Sequence, residues 1–239
     1  MNSHKRPDLG MFSKNRPSKE LSAEMINKNI WVKGCPIPID RLMLLNLSYV
    51  DYEGTKKHNG QMVVFDVVAD SVLKIFQELY LVAFPINSIN LMNQFDGDDN
   101  KSMNVNNTSS FNGRKIANTT RWSVHSYGMA IDINPIQNPC LDTEYKPGKQ
   151  SVDVFPAQGI EYMNRSNLRQ GMVESVIDES INLTVVELFK DNGFSVWGGA
   201  WNFPIDLHHF QVPTDEAKKL ANMSFDEGMS YFSLMLQNK

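Results

Sequence analysis

Two stretches of the chain gather side chains suited to a divalent cation: RWSVHSYGMAIDINP, beginning at Arg121, and WGGAWNFPIDLHHFQ, beginning at Trp197. A catalytic zinc takes three protein donors from His, Asp, Glu or Cys and keeps a further position open for water or substrate. His125, Asp132 and one histidine of the His208–His209 pair make up such a set. His125 and Asp132 are seven residues apart, so they fall on opposite faces of an unbroken strand. A bend at Ser126–Gly128 is therefore required, and Gly128 has the backbone freedom to make it. Ala130 then shares a face with Asp132 and leaves room beside it, while Ile131 and Ile133 point into the core.

In the second stretch Asp206 and His209 are three apart, the separation that joins side chains on one helical turn. With His209 on the metal, Asp206 is placed to take a proton from an activated water and return it to a leaving amine, and His208 points elsewhere. Spacing alone does not choose between the two histidines, since a His208 ligand also leaves an acidic residue nearby. A serine hydrolase built on Ser123 and His125, two apart on one strand face, lacks the glycine-flanked turn a nucleophile needs.

At these residues the sequence resembles the VanY-type D-alanyl-D-alanine carboxypeptidases, a zinc metallopeptidase family that includes L-alanyl-D-glutamate endopeptidases. The family's S-x-H-x-x-G-x-A-x-D signature is matched by Ser123, His125, Gly128, Ala130 and Asp132. Its acidic residue followed by the histidine ligand is matched by Asp206 and His209, with Trp197–Gly198–Gly199 and Trp201 ahead of them. The resemblance selects His209 and implies one zinc per chain, held by His125, Asp132 and His209, with Asp206 as proton carrier. It also assigns Arg114, in SSFNGR, to the substrate and the developing oxyanion, and places Ser123 and Trp201 against the substrate. The implied substrates are peptidoglycan stem peptides, trimmed at a terminal D-alanine or, in the alternative, cut internally by an endopeptidase. A zinc fold kept as an inactive cell-wall peptide-binding module has no need of Asp206 and Arg114. One departure is Cys140, where relatives carry an aromatic residue.

The elements that must position these residues read as an α+β domain, with a small, mostly antiparallel sheet flanked by helices and carrying the zinc site, as in hedgehog and D-Ala-D-Ala metallopeptidase folds. Helices are expected at Asp70–Ala83, capped by Asp70 or Ser71, at Met172–Asn192, with Gly193 as its left-handed stop, and at Phe225–Leu236. Strands are expected around Gln61–Val68, Ala130–Asn134, Ser195–Trp197 and His209–Val212. Residues 1–34 read as a loosely held arm, 35–213 as the metallopeptidase domain and 214–239 as a helical tail. The acidic run DGDDNKSMNVNN from Asp96 outwardly resembles a calcium loop, but Lys101 and Asn107 stand where the glycine and bidentate glutamate belong. It reads instead as a loop that positions Arg114.

Composition narrows the classes. A length of 239 residues with 41% hydrophobic content suits one substantial core. A net charge of -4 and a pI of 5.7 give no basic surplus for nucleic acid. No run nears the ~20 apolar residues of a membrane span. Two cysteines, Cys35 and Cys140, are too few for a disulfide scaffold; free thiols are expected and a bridge between them stays open. A monomer is expected. The N-terminal segment lacks the apolar centre of a secretory signal. Work in the cell envelope then needs a signal already removed or another export route, and the alternative is a cytoplasmic stay until release, as for a phage lysin.

Overall fold

A computed structural model of the protein describes residues 8–142 and 152–237. Strand β1 (Ser13–Asn15) pairs antiparallel with β2 (Leu42–Val50), and β2 forms a long hairpin with β3 (Lys56–Phe65). Helix α1 (Lys19–Asn27) lies between β1 and β2 and is capped by Ser18, whose hydroxyl accepts from the Leu21 amide. The hairpin turns at Asp51, whose Oδ1 accepts from the amides of Glu53 and Thr55. Helix α2 (Ala69–Leu81) packs against β2 and buries Val72, Ile75, Phe76, Leu79 and Tyr80, the spacing of one helical face. Strand β4 (Ser88–Ile89) runs parallel to β5 (Asn107–Thr108), with α3 (Asp99–Asn104) between them.

The second half is built from short pieces: β6 (Ala130–Asp132), β7 (Cys140–Asp142), β8 (Asp153–Phe155), β9 (Val176–Asp178), β10 (Leu183–Thr184), α4 (Val185–Asp191), β11 (Val196–Trp197), β12 (Ile205–Asp206) and β13 (His209–Gln211). They form antiparallel sheets in the orders β11, β13, β6 and β12, β7, β8, beside the β9–β10 hairpin. Helices α5 (Thr214–Ala221) and α6 (Phe225–Gln237) follow. Helices mixed with small, mostly antiparallel sheets are thus observed, but the single expected sheet is dispersed over several. Proline explains the short strands: Pro135, Pro139, Pro156, Pro204 and Pro213 flank β6, β7, β8, β12 and β13 and cannot donate to a ladder.

The segments expected as arm and tail are packed where they are described; Met1 to Pro7 and the last two residues lie outside the described ones. Met25 and Ile30 near one end and Leu220 and Phe232 near the other share one core with Phe65 and Phe210. A buried carboxylate ties them further. Asp66 receives Arg41 through Nε at 2.7 Å and Nη2 at 2.9 Å and Arg16 through Nη2 at 3.1 Å, while Arg41 Nη1 donates to the Met223 carbonyl at 2.9 Å. Polarity had hidden this anchoring, because Arg16 and Arg41 are read as solvated until their partner, far along the chain, is known.

The helix expected over Met172–Asn192 is also corrected. Only its last third is helical, because Asp178 Oδ1 accepts from the Ser180 amide to make a turn and Asn182 takes φ 52°. Thr184 then caps α4 through the Glu187 amide at 3.2 Å. Val176 and Ile181, which lie at helical spacing with the other apolar residues of this stretch, are 44% and 68% exposed. Gly193 does stand in the left-handed region, at φ 95°. Strand β3 ends at Phe65, short of Val68, since 66–68 turn into α2; that helix has no side-chain cap, and Asp70 pairs with Lys14 instead.

Candidate metal centre

Strands β6 and β13 pair in a register that sets Asp132 directly opposite His209 and Ala130 opposite Gln211. Cross-strand partners share a face, so the carboxylate and the imidazole meet, and the small Ala130 leaves space beside them. His125 arrives from a 3-10 turn, Val124–Tyr127, that ends at Gly128 in the left-handed conformation with φ 63°. The expected bend is therefore present at the expected glycine. A Cβ at Gly128 would lie 2.5 Å from the Phe65 amide nitrogen, so close approach to β3 also demands glycine.

The three side chains converge tightly. His125 Nε2 lies 3.3 Å from Asp132 Oδ2, His209 Nδ1 lies 3.0 Å from Asp132 Oδ1, and the two ring nitrogens are 3.2 Å apart. Each imidazole meets a protein acceptor with its other nitrogen: His125 Nδ1 donates to the Ser110 carbonyl at 2.7 Å, and His209 Nε2 donates to Gln211 Oε1 at 2.8 Å. Those outer bonds leave the inner nitrogens as lone-pair donors. Tetrahedral zinc with bonds of about 2.0–2.1 Å sets its donors about 3.3 Å apart, so the donor set fits the ion in both chemistry and spacing. Burial opposes charge on Asp132, but the His125 and His208 imidazoles outweigh it and hold the carboxyl well below the usual carboxylate range. For His209, burial is likewise outweighed by the hydrogen bond and charge of Asp132, which raise its pKa. A serine hydrolase is disfavoured by the same contacts, since both ring nitrogens of His125 are directed away from Ser123.

Gln211 was missed in the sequence although its signal was present, two residues beyond His209 on one strand face. Gln211→Leu is expected to weaken zinc about 10- to 100-fold with the fold intact, read by competition with a chromophoric chelator. Unchanged affinity would show that this bond does not orient the ring. Ser110, by contrast, had no local signal, because its carbonyl reaches His125 only through tertiary packing.

The triad lies in a pocket of about 510 Å³, which also exposes Arg114, Ser123, Trp201, Asp206 and His208. Asp206 does not share a helical turn with His209: it sits on β12 opposite Cys140, and His209 begins β13. Gly198 permits this, because a Cβ there would lie 2.5 Å from the Asp206 carbonyl oxygen. His208 does not point elsewhere. Its Nε2 is 3.0 Å from Asp206 Oδ1 and its Nδ1 donates to the Asn138 carbonyl at 2.8 Å. Burial lowers its pKa, but Asp206 and Asp132 prevail and raise it to about 9, so the ring is a cation at neutral pH.

The Ser123 hydroxyl accepts from the His125 amide at 3.3 Å, so it caps the turn that carries the first histidine. The Trp201 ring stands 5.3 Å from that of His209. Arg114 pairs through Nε with Asp99 Oδ2. Both cysteines are free; Cys140 lines the pocket, and burial with the carboxylates of Asp206, Asp132 and Asp142 pushes its thiol pKa up.

Two imidazoles and a carboxylate with satisfied outer nitrogens form a group that could hold a metal ion, in a pocket that also contains an acid and an arginine. Residues 117–212 match the family model described as D-alanyl-D-alanine carboxypeptidase, whose members are zinc metallopeptidases. The match is to the family that the two motifs resemble, and it spans His125, Asp132, Asp206 and His209 but begins after Arg114. No curated protein and no solved structure matches the chain. Among the described residues, no helix is long and apolar enough to cross a membrane.

Proposed function

We propose that the protein is a zinc peptidase of D-amino-acid-containing peptidoglycan stem peptides, acting as a D-alanyl-D-alanine carboxypeptidase with one zinc per chain. The convergence of His125 Nε2, His209 Nδ1 and the Asp132 carboxylate carries this reading. Zinc bound by them supplies Lewis acidity toward the scissile carbonyl and toward water. Asp206 takes the proton of the attacking water on its carboxylate and passes it to the amine nitrogen as the C–N bond breaks. The Arg114 guanidinium, which lines the pocket, receives the oxyanion or the substrate's terminal carboxylate. Trp201, with Trp122, Ile116 and Phe155, walls the pocket beside the peptide, and Ser123 holds the turn while its hydroxyl hydrogen is left for the peptide backbone.

An arginine in the pocket lining supports trimming at a free C-terminus over internal cleavage. Incubation of the zinc-loaded protein with a muropeptide ending in D-Ala-D-Ala, followed by mass analysis, is expected to show release of one D-alanine. Scission between L-alanine and D-glutamate instead would make it an endopeptidase, and no scission of any stem peptide would end the peptidase reading. Such a substrate puts the work in the cell envelope, reached by export or by release as for a phage lysin, and one chain suffices for the site, in keeping with a monomer.

A further inference from the structure

We infer that Asp99 is a positioning residue for Arg114, its ion pair on the Nε side of the guanidinium favouring the orientation in which the Nη1–Nη2 edge meets a carboxylate in the pocket; this rests on the carboxylate-binding role proposed for Arg114. Asp99 stands in the first turn of α3 and, like Arg114, lines the pocket. Its Oδ2 pairs with Arg114 Nε, and its Oδ1 accepts from Asn112 Nδ2 at 2.9 Å. Asn112 is itself buried, and the same Nδ2 donates to the Gly97 carbonyl at 2.9 Å, so the carboxylate has a fixed orientation. The backbone of Arg114 is held as firmly. Its amide donates to Ser126 Oγ at 2.9 Å, and that hydroxyl lies 2.6 Å from the Arg114 carbonyl and 3.1 Å from that of Asn112. Ser126 adjoins His125, so one short network sets the arginine relative to the metal ligands.

A guanidinium offers a planar fork, and a tether at Nε leaves the two terminal nitrogens for bidentate recognition. Tethering also removes rotamer freedom before the ligand arrives, entropy that binding would otherwise have to overcome. Repulsion between Asp99 and an incoming carboxylate acts the other way. It is the weaker effect, because the Asp99 side chain is 33% exposed and that repulsion is screened by solvent and salt, while the arginine charge attracts the ligand directly.

The test is a double-mutant cycle of Asp99→Ala and Arg114→Ala in zinc-loaded protein, titrated calorimetrically with N-acetyl-D-alanine and with N-acetyl-D-alaninamide. The wild type is expected to prefer the acid, and Asp99→Ala to weaken the acid roughly tenfold while leaving the amide and the zinc content unchanged. In the Arg114→Ala background the same substitution is expected to add nothing, a non-additivity that an independent structural role does not produce. Equal loss in both backgrounds, no loss in either, or a wild type that does not prefer the acid overturns the inference. Asp99→Asn, which keeps the side-chain shape, replaces Asp99→Ala if the latter does not fold, with the same expected pattern. A wild type that binds the acid in this pattern yet cleaves no stem peptide contradicts the peptidase reading and leaves the assignment of Asp99 standing.

Discussion

Removing zinc with a chelator is expected to abolish hydrolysis of a D-Ala-D-Ala peptide, and readdition of zinc to restore it. His209→Ala is expected to do the same irreversibly, because it takes away one of three donors whose contact distances run from 3.0 to 3.3 Å. Two donors, His125 Nε2 and the Asp132 carboxylate, then remain, too few for a closed three-ligand site. The metal-free protein is nonetheless expected to stay folded. Asp132 Oδ1 and His209 Nδ1 can share a proton at 3.0 Å, and Ser110 and Gln211 still hold the outer nitrogens. Its melting temperature is expected to fall by several degrees, since an ion at a hundred times its Kd stabilises by about 2.7 kcal/mol and each kcal/mol moves a chain of this size by about 2–4 °C. Metal analysis, calorimetry and product analysis on one preparation check all three statements. Full turnover by protein shown to be free of metal would remove the centre from the chemistry.

What the sequence made legible follows from the range of the forces involved. The pairing of His125 with Asp132 across Gly128 was readable because the pleat has a fixed period and one glycine must break it, and the turn at φ 63° meets that requirement. The face of α2 was readable for the same kind of reason. Asp206 and His209 line one pocket, but not on a shared helical turn as their spacing of three suggests: they stand on two short strands, the first directly after Pro204. Local pattern also failed over Met172–Asn192, where apolar residues at helical spacing were outvoted by the turn chemistry of Asp178, Ser180 and Asn182. Ser110, Asn138 and Asp99 act through partners that only packing supplies, as do Arg16 and Arg41 around Asp66. Nothing in the residues near them announces those contacts.

Asp206→Ala is expected to retain one zinc per chain and to lose about a thousandfold in kcat, the scale of a missing general acid-base group. The assignment rests on eliminating rivals in the same pocket. Asp132 and the two ring nitrogens facing it are committed to the metal set, and Asp99 is committed to Arg114. Burial and the neighbouring carboxylates keep Cys140 protonated. His208 Nδ1 donates to the Asn138 carbonyl and its Nε2 faces Asp206 Oδ1 at 3.0 Å, and the neighbouring carboxylates raise its pKa to about 9, which makes it a poor acceptor for a further proton. Asp206 is left as the carboxylate that lines the pocket without binding the metal or the arginine, with His208 Nε2 3.0 Å from its Oδ1. His208→Gln separates the two roles, because it preserves a donor toward Asp206 and removes the charge. Its kcat is expected to stay within about tenfold of wild type, since a lost ion pair in a solvent-reached pocket amounts to about 1 kcal/mol. If His208→Gln lost as much turnover as Asp206→Ala while both kept their zinc, the proton would have to travel through the imidazole, and Asp206 would become the group that orients it.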